Sequence, residues 1–198
     1  MLKLIPVNKI KLVDIDEVNF DLIPRPANKK FSCQECFYWI GKKDGRLDQN
    51  AQKKKWFLRK NENYGSVGKL LYVGGEKLPI GFIQYGPIKE FDTAKLYYLK
   101  NGNLPKDGWC ITCLMVDSKF RQQGLASEMV KKVLSELQKK GVKSVDAFPA
   151  VKTNSIDDTS AGTIQLWQKF GFRVIAEGSR EVIMRKELNG RSKQKTSS

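Results

Sequence analysis

Residues 109–126 read Trp109-Cys110-Ile111-Thr112-Cys113-Leu114-Met115-Val116, then Asp117-Ser118-Lys119-Phe120-Arg121-Gln122-Gln123-Gly124-Leu125-Ala126. The first eight residues are mostly apolar and β-tolerant, which predicts a buried strand. From Leu125 onward, Leu125, Met129, Val130, Val133, Leu134 and Leu137 share one helical face, opposite Lys131, Lys132, Glu136, Lys139 and Lys140. Gly141 stands where a left-handed residue closes a helix, with lysines in the last turn to suit the dipole. Between strand and helix lies a basic turn, R-x-x-G-x-A, from Arg121 to Ala126. A strand feeding a helix through such a turn aims unbonded N–H groups and the positive helix end at one point. That arrangement binds phosphate. A Cβ at Gly124 would fill space that a ligand needs, and Ala126 keeps the first helical turn slim.

Outward from this unit the pattern continues. Val142 to Pro149 predicts the next strand, so strand, helix and strand form a crossover with parallel pairing. Residues 150–162 are polar and loop-like. Thr163 to Phe170 predicts a short helix with Leu166, Trp167 and Phe170 on one face, stopped by Gly171. Strands follow at Phe172 to Ala176 and Glu181 to Leu188. On the other side, Leu70 to Val73 and Ile80 to Tyr85 read as a hairpin. Residues 87–108 read as a long polar connection that shapes a pocket or moves.

The turn with its helix resembles motif A of the GNAT superfamily of N-acetyltransferases, Q/R-x-x-G-x-G/A after a strand ending in an aliphatic residue. The stretch Leu166-Trp167-Gln168-Lys169-Phe170-Gly171-Phe172 resembles motif B, a helix ending "lYek-GF" before a strand. Gly124 and Gly171 are 171 − 124 = 47 residues apart, a usual interval in that family, and Ile80-Gly81-Phe82-Ile83 looks like its "vGf" strand. The resemblance covers roughly residues 66–188. It implies an α/β (α+β) fold: a mixed, largely antiparallel sheet with a splayed parallel strand pair, flanked by helices. It also implies acetyl transfer from acetyl-coenzyme A, a co-substrate, to an amine-bearing acceptor. Leu114, Met115 and Val116 would hold the pantetheine arm like an added strand. The N–H groups of Gln122, Gln123, Gly124, Leu125 and Ala126, with Ser127 beside them, would take the pyrophosphate, assisted by Arg121 and Lys119.

The chain departs from that pattern where the family carries a Tyr as acid for the leaving thiolate. Trp167 stands there, and indole donates no proton at neutral pH. The family's Asn near the cofactor is absent too, Ser160 being nearest in register. Either the acid is Tyr85, Tyr97 or Tyr98, or the thiolate leaves without one, or the chain is a module that binds a coenzyme A thioester without fast chemistry. Asp117, Cys110 and Cys113 lie near motif A without making a convincing base, so catalytic residues stay unassigned.

Composition narrows the rest. The 198 residues fit one domain over 1–188, with 1–65 matching no pattern, and a basic, disordered tail over 189–198. There are 36 basic and 21 acidic residues, a net +15. Such a field suits any polyanion, coenzyme A or nucleic acid, and nucleic acid is the less favoured partner because the charge is spread along the chain. Histidine is absent, which removes Ser-His-Asp, Cys-His and His-metal chemistry. No run approaches the roughly 18 apolar residues of a membrane span, and the N-terminus lacks a long apolar segment of the signal-peptide kind. A cytoplasmic protein is expected, with oligomeric state unreadable.

Cys33 and Cys36 form one Cys-x-x-Cys beside Phe37, Tyr38 and Trp39; Cys110 and Cys113 form another. Residues three apart on a regular strand point to opposite faces, so the second pair should not clasp a metal with the first. Packed, reduced thiols and no metal are expected. Asp48 to Lys60 predicts a basic helix burying Ala51, the Lys55 stem and Leu58, rather than a stacking surface for single-stranded nucleic acid.

Overall fold

In the computed structural model, residues 6, 9–26, 32–101, 104–151, 160–178 and 181–188 are described. The expected tail over 189–198 lies outside them. Seven strands form one sheet: β1 (Ile10–Asp14), β2 (Gly68–Val73), β3 (Gly81–Pro87), β4 (Trp109–Val116), β5 (Ser144–Ala147), β6 (Arg173–Glu177) and β7 (Val182–Glu187). Their order is β1-β2-β3-β4-β5-β7-β6. Every neighbouring pair is antiparallel except β4 and β5. The α-helices among the described residues are α1 (Gln49–Tyr64), α2 (Asp92–Asn101), α3 (Leu125–Lys139) and α4 (Ile164–Lys169).

Successive strand residues bury themselves on opposite faces, which makes two layers of core. Leu71, Ile83, Ile111, Val145 and Met184 pack with the apolar stripe of α3 and with Trp167 of α4. On the other face Phe57 of α1 packs with Leu70 and Phe82, and Ala94 and Tyr98 of α2 pack with Cys110 and Ile183. All six stripe residues of α3 are buried. Its end is a Schellman closure, Gly141 at φ 80°, with Gly141 N–H on the Gln138 carbonyl and Val142 N–H on Leu137.

Two expectations about the helices change. The stretch 87–108 carries α2 rather than an irregular connection, because Phe91, Ala94 and Tyr98 find core beneath it. The basic helix forms, capped by the Asp48 carboxylate, but it buries Lys53, Phe57 and Lys60; Ala51 and Lys55 are exposed and Leu58 is only half-buried. Trp56 is spent inside the protein, its ring 5.3 Å from that of Phe57 and 5.5 Å from Phe91.

Candidate acyl-coenzyme A site

The parallel pair β4/β5 holds for three residue pairs, Trp109–Val145, Cys110–Asp146 and Ile111–Ala147, and then ends. β4 runs on to Val116, so among the described residues its far half has no strand beside it on that side. Backbone groups alternate between the two edges of a strand. Leu114 and Val116 therefore present N–H and C=O to the open edge while β3 takes the groups between them. Of these four groups, Leu114 N–H donates to the Ser160 carbonyl at 2.7 Å. The Val116 carbonyl accepts from Arg121 Nε at 3.0 Å. Among the described residues nothing bonds the Leu114 C=O or the Val116 N–H. The gap offers one acceptor and one donor, which two successive amides of an extended chain can fill.

Beyond Val116 the chain makes one 3₁₀ turn over Ser118–Phe120, with Asp117 capping it through Lys119 N–H at 2.9 Å. It then passes two left-handed residues, Gln122 at φ 60° and Gly124 at φ 78°, before α3 starts. Alternating handedness of this kind turns successive N–H groups inward to form an anion nest. Among the described residues no hydrogen bond engages the N–H groups of Gln122, Gln123, Gly124, Leu125, Ala126 or Ser127. Gln122 and Gly124 are exposed; Gln123, Ala126 and Ser127 are half-buried, while the Leu125 side chain is buried in the core. A Cβ built on Gly124 meets no atom within 4 Å, so the space over the turn is open. Fifteen helical residues stand behind these amides, and their dipole adds positive potential there. Arg121 is half-buried and Lys119 exposed.

The bulge in β4 decides where its cysteines go. Gln84 faces Cys113 but Tyr85 faces Ile111, so Thr112 is one residue too many on β4. Cys110 and Cys113 consequently share the α1/α2 face, while Ile111 and Leu114 share the α3 face. The expectation that Cys110 and Cys113 point apart is thereby overturned. Cys33 and Cys113 border the same core cluster, and burial pushes the Cys33 thiol up to about 11 and raises Cys113 well above its usual value. All four cysteines are unpaired thiols. Among the described residues no three His, Cys, Asp or Glu side chains are grouped so as to hold a metal.

The tyrosines weighed as acids are all engaged. Tyr85 donates to Ser66 Oγ at 3.0 Å, Tyr97 to Glu181 and Tyr98 to the buried Asp146. Burial pushes Tyr85 up to about 12, against the pull of Lys69 and Ser66. Trp167 is fully buried, and its indole N–H donates to the Ala161 carbonyl at 2.6 Å. The structure therefore joins the open edge of β4, the nest and the start of α3 in one groove. It leaves Tyr85, Tyr97 and Tyr98 bonded into their own surroundings. Ser160, which the sequence offers only by its register with the family's Asn, enters through its backbone carbonyl; Ala161 enters unannounced, since a polar loop carries no periodic signal.

The profile of the acetyltransferase (GNAT) family matches residues 25–172. The chain belongs to that family. It is an acetyl-coenzyme A-dependent N-acetyltransferase. Solved structures similar to this GNAT chain include Ard1 from Thermoplasma volcanium, with 14% identity over 92% of this chain and 99% of that one, at a TM-score of 0.56. The PaiA N-acetyltransferase of Thermoplasma acidophilum, solved in complex with coenzyme A, shares 13% identity over 90% of this chain and 98% of its own, at 0.58. The ribosomal-protein-S18-alanine N-acetyltransferase of Escherichia coli shares 14% over 93% and 97%, at 0.54. At such identities the likeness is one of fold. No curated protein matches the chain.

Proposed function

We propose that this GNAT protein binds acetyl-coenzyme A along β4, with the N–H groups of Gln122, Gln123, Gly124, Leu125, Ala126 and Ser127 taking the diphosphate. Arg121 supports the same charge. The Val116 N–H donates to the carbonyl of one amide of the pantetheine arm and the Leu114 carbonyl accepts from the N–H of the next amide, while Met115 between them keeps β4 zipped to β3. The observation that carries this reading is the run of amides at the mouth of α3, continuous with a donor and an acceptor on the edge of β4, that nothing bonds among the described residues. Buried polar groups of a sheet edge are normally paired, so a stretch left open is one reserved for a partner.

The acceptor is an amine, reaching the thioester through the split between β4 and β5. Proton transfer in this reading uses no histidine and no assigned side chain. A cytoplasmic setting fits the four unpaired thiols, and among the described residues no helix is long and apolar enough to cross a membrane. The first 188 residues act as one domain in this proposal, with 189–198 as a tail.

The test is thermal stabilisation. Acetyl-coenzyme A added to the purified protein should raise its melting temperature, by mass action on the folded state. Gly124→Glu sets bulk and negative charge where the diphosphate belongs, and should abolish the rise. A shift that survives the Glu would place the cofactor somewhere else.

A further inference from the structure

The segment 160–163 crosses the end of the groove, held by hydrogen bonds at Ser160, Ala161 and Thr163. The Ser160 carbonyl accepts from Leu114 N–H at 2.7 Å. The Ala161 carbonyl accepts from Trp167 Nε1 at 2.6 Å, with Ala161 and Trp167 both fully buried. Thr163 caps α4, its Oγ1 accepting from Leu166 N–H at 3.4 Å. Between these anchors Gly162 sits at φ 74°, where a Cβ would lie 3.2 Å from Leu166 Cδ2 and 3.9 Å from Leu114 Cδ2. The strap is thus packed against the side chain of Leu114 as well as bonded to its backbone.

Direction along the groove follows from the nest. The diphosphate end lies at Gln122 to Ser127, after β4, so an extended arm runs back past Val116 towards Leu114. Only two methylenes separate the last amide of coenzyme A from its sulfur. With one amide carbonyl of the arm on Val116 N–H and the N–H of the last amide on Leu114 C=O, the thioester and the acyl group on it face the backbone of Ser160 and Ala161. β5 already closes the edge of β4 up to Ile111. The strap occupies the one strand position between β5 and the open gap.

We propose that the 160–163 strap is a stop that limits the acyl group to acetyl size, and that Trp167 is the positioning residue that holds it. This rests on the reading that the groove binds an acyl-coenzyme A. Indole has one N–H and no acceptor, and here that N–H is spent on the Ala161 carbonyl. The ring is locked edge-on against Phe172, centroids 4.9 Å apart. Trp167 therefore works through the wall it braces and touches no reacting atom. Without the donor, the Ala161 carbonyl is left unpaired in the core and turns to find another partner, carrying Ser160 with it.

The experiment measures affinity of the full chain for coenzyme A, acetyl-, propionyl- and butyryl-coenzyme A by calorimetry, which needs no knowledge of the acceptor. A pocket wall discriminates by roughly 10–200-fold for a single methylene. The unaltered protein should show a step of about that size between acetyl and a longer chain. Trp167→Phe keeps an aromatic ring but loses the donor. It should cut the step about tenfold by improving the longer acyl groups, with affinity for coenzyme A itself unchanged. A merely structural role would lower stability and weaken all four ligands together. Should the variant not fold, the unaltered protein still decides: a flat series overturns the stop. An unchanged step in Trp167→Phe overturns the part given to Trp167. If none of the four ligands binds, the groove itself has been misread and the stop falls with it; binding of all four with equal affinity removes the stop alone.

Discussion

Gly124 and Gly141 make a natural pair of probes. Both are left-handed, at φ 78° and 80°, and a Cβ at either meets nothing within 4 Å. Alanine at each position should cost about 1–2 kcal/mol for the strained backbone. Their difference lies in what surrounds them: Gly124 opens α3 and is one of six residues there whose amides nothing bonds among the described residues, while Gly141 closes its other end. Gly124→Ala should weaken acetyl-coenzyme A markedly, because the methyl stands in the space the diphosphate needs. Gly141→Ala should leave that affinity alone. Melting curves with and without acetyl-coenzyme A check both, and equal losses of binding would show that stability rather than the nest is at stake. At this scale the sequence was legible wherever one residue type has one use, as in the glycines. Trp167 could be read as no acid, but its actual bond to Ala161 was hidden, because the partner lies in a stretch without pattern.

Elements were legible in proportion to how one-sided they are. The helix α3 was found with every buried residue in place, because its apolar positions form a single stripe over solvated lysines. Leu137 closes that stripe and is 2% exposed, and its carbonyl also takes Val142 N–H at 3.0 Å in the closing turn. Leu137→Ala should destabilise by about 2–5 kcal/mol, the cost of an unfilled core position, read as a lower urea midpoint. A loss below 1 kcal/mol would mean that the core over α3 relaxes to fill the hole. By contrast α2 shows apolar residues on both faces: Ala94 and Tyr98 are buried, while Leu96 and Leu99 are 56% and 81% exposed. No period stands out from that, so the helix read as a loop. The face of α1 was misread because Lys53 and Lys60 run their stems inward; Lys60 ends on Glu90, while Lys53 reaches the Cys33 carbonyl. The bulge at Thr112 was invisible for a related cause. β4 is apolar on both faces, and one extra residue leaves no mark on a run that does not alternate.

The whole molecule carries +15 and should lose stability at both ends of the pH scale, for different reasons. Burial pushes the Asp14 carboxyl up, but the hydrogen bond from Lys69, with help from Ser66, outweighs it and holds the group below its usual 3.8. Glu90 likewise ends below 4.5, burial being outweighed by Lys60 and Tyr64. A carboxylate that is more acidic when folded gives stability that is complete above its unfolded value and is lost as pH falls through the folded one. The acid limb should therefore begin near pH 4.5 and deepen below 3.8, steepened by self-repulsion as the remaining negative charges vanish. Repulsion between surface charges is screened at high salt, so added salt should flatten part of this limb and leave the paired part. At the alkaline end burial lifts Tyr85 from 10 to about 12. The unfolded phenol ionises first, so stability is full below pH 10 and falls as pH rises towards 12. Tyr85→Phe removes the ionisation, and its urea midpoint should run flatter than that of the unaltered protein between those two values. Parallel curves would instead place that hydroxyl in contact with water, outside the core formed by β3 and the helices above it.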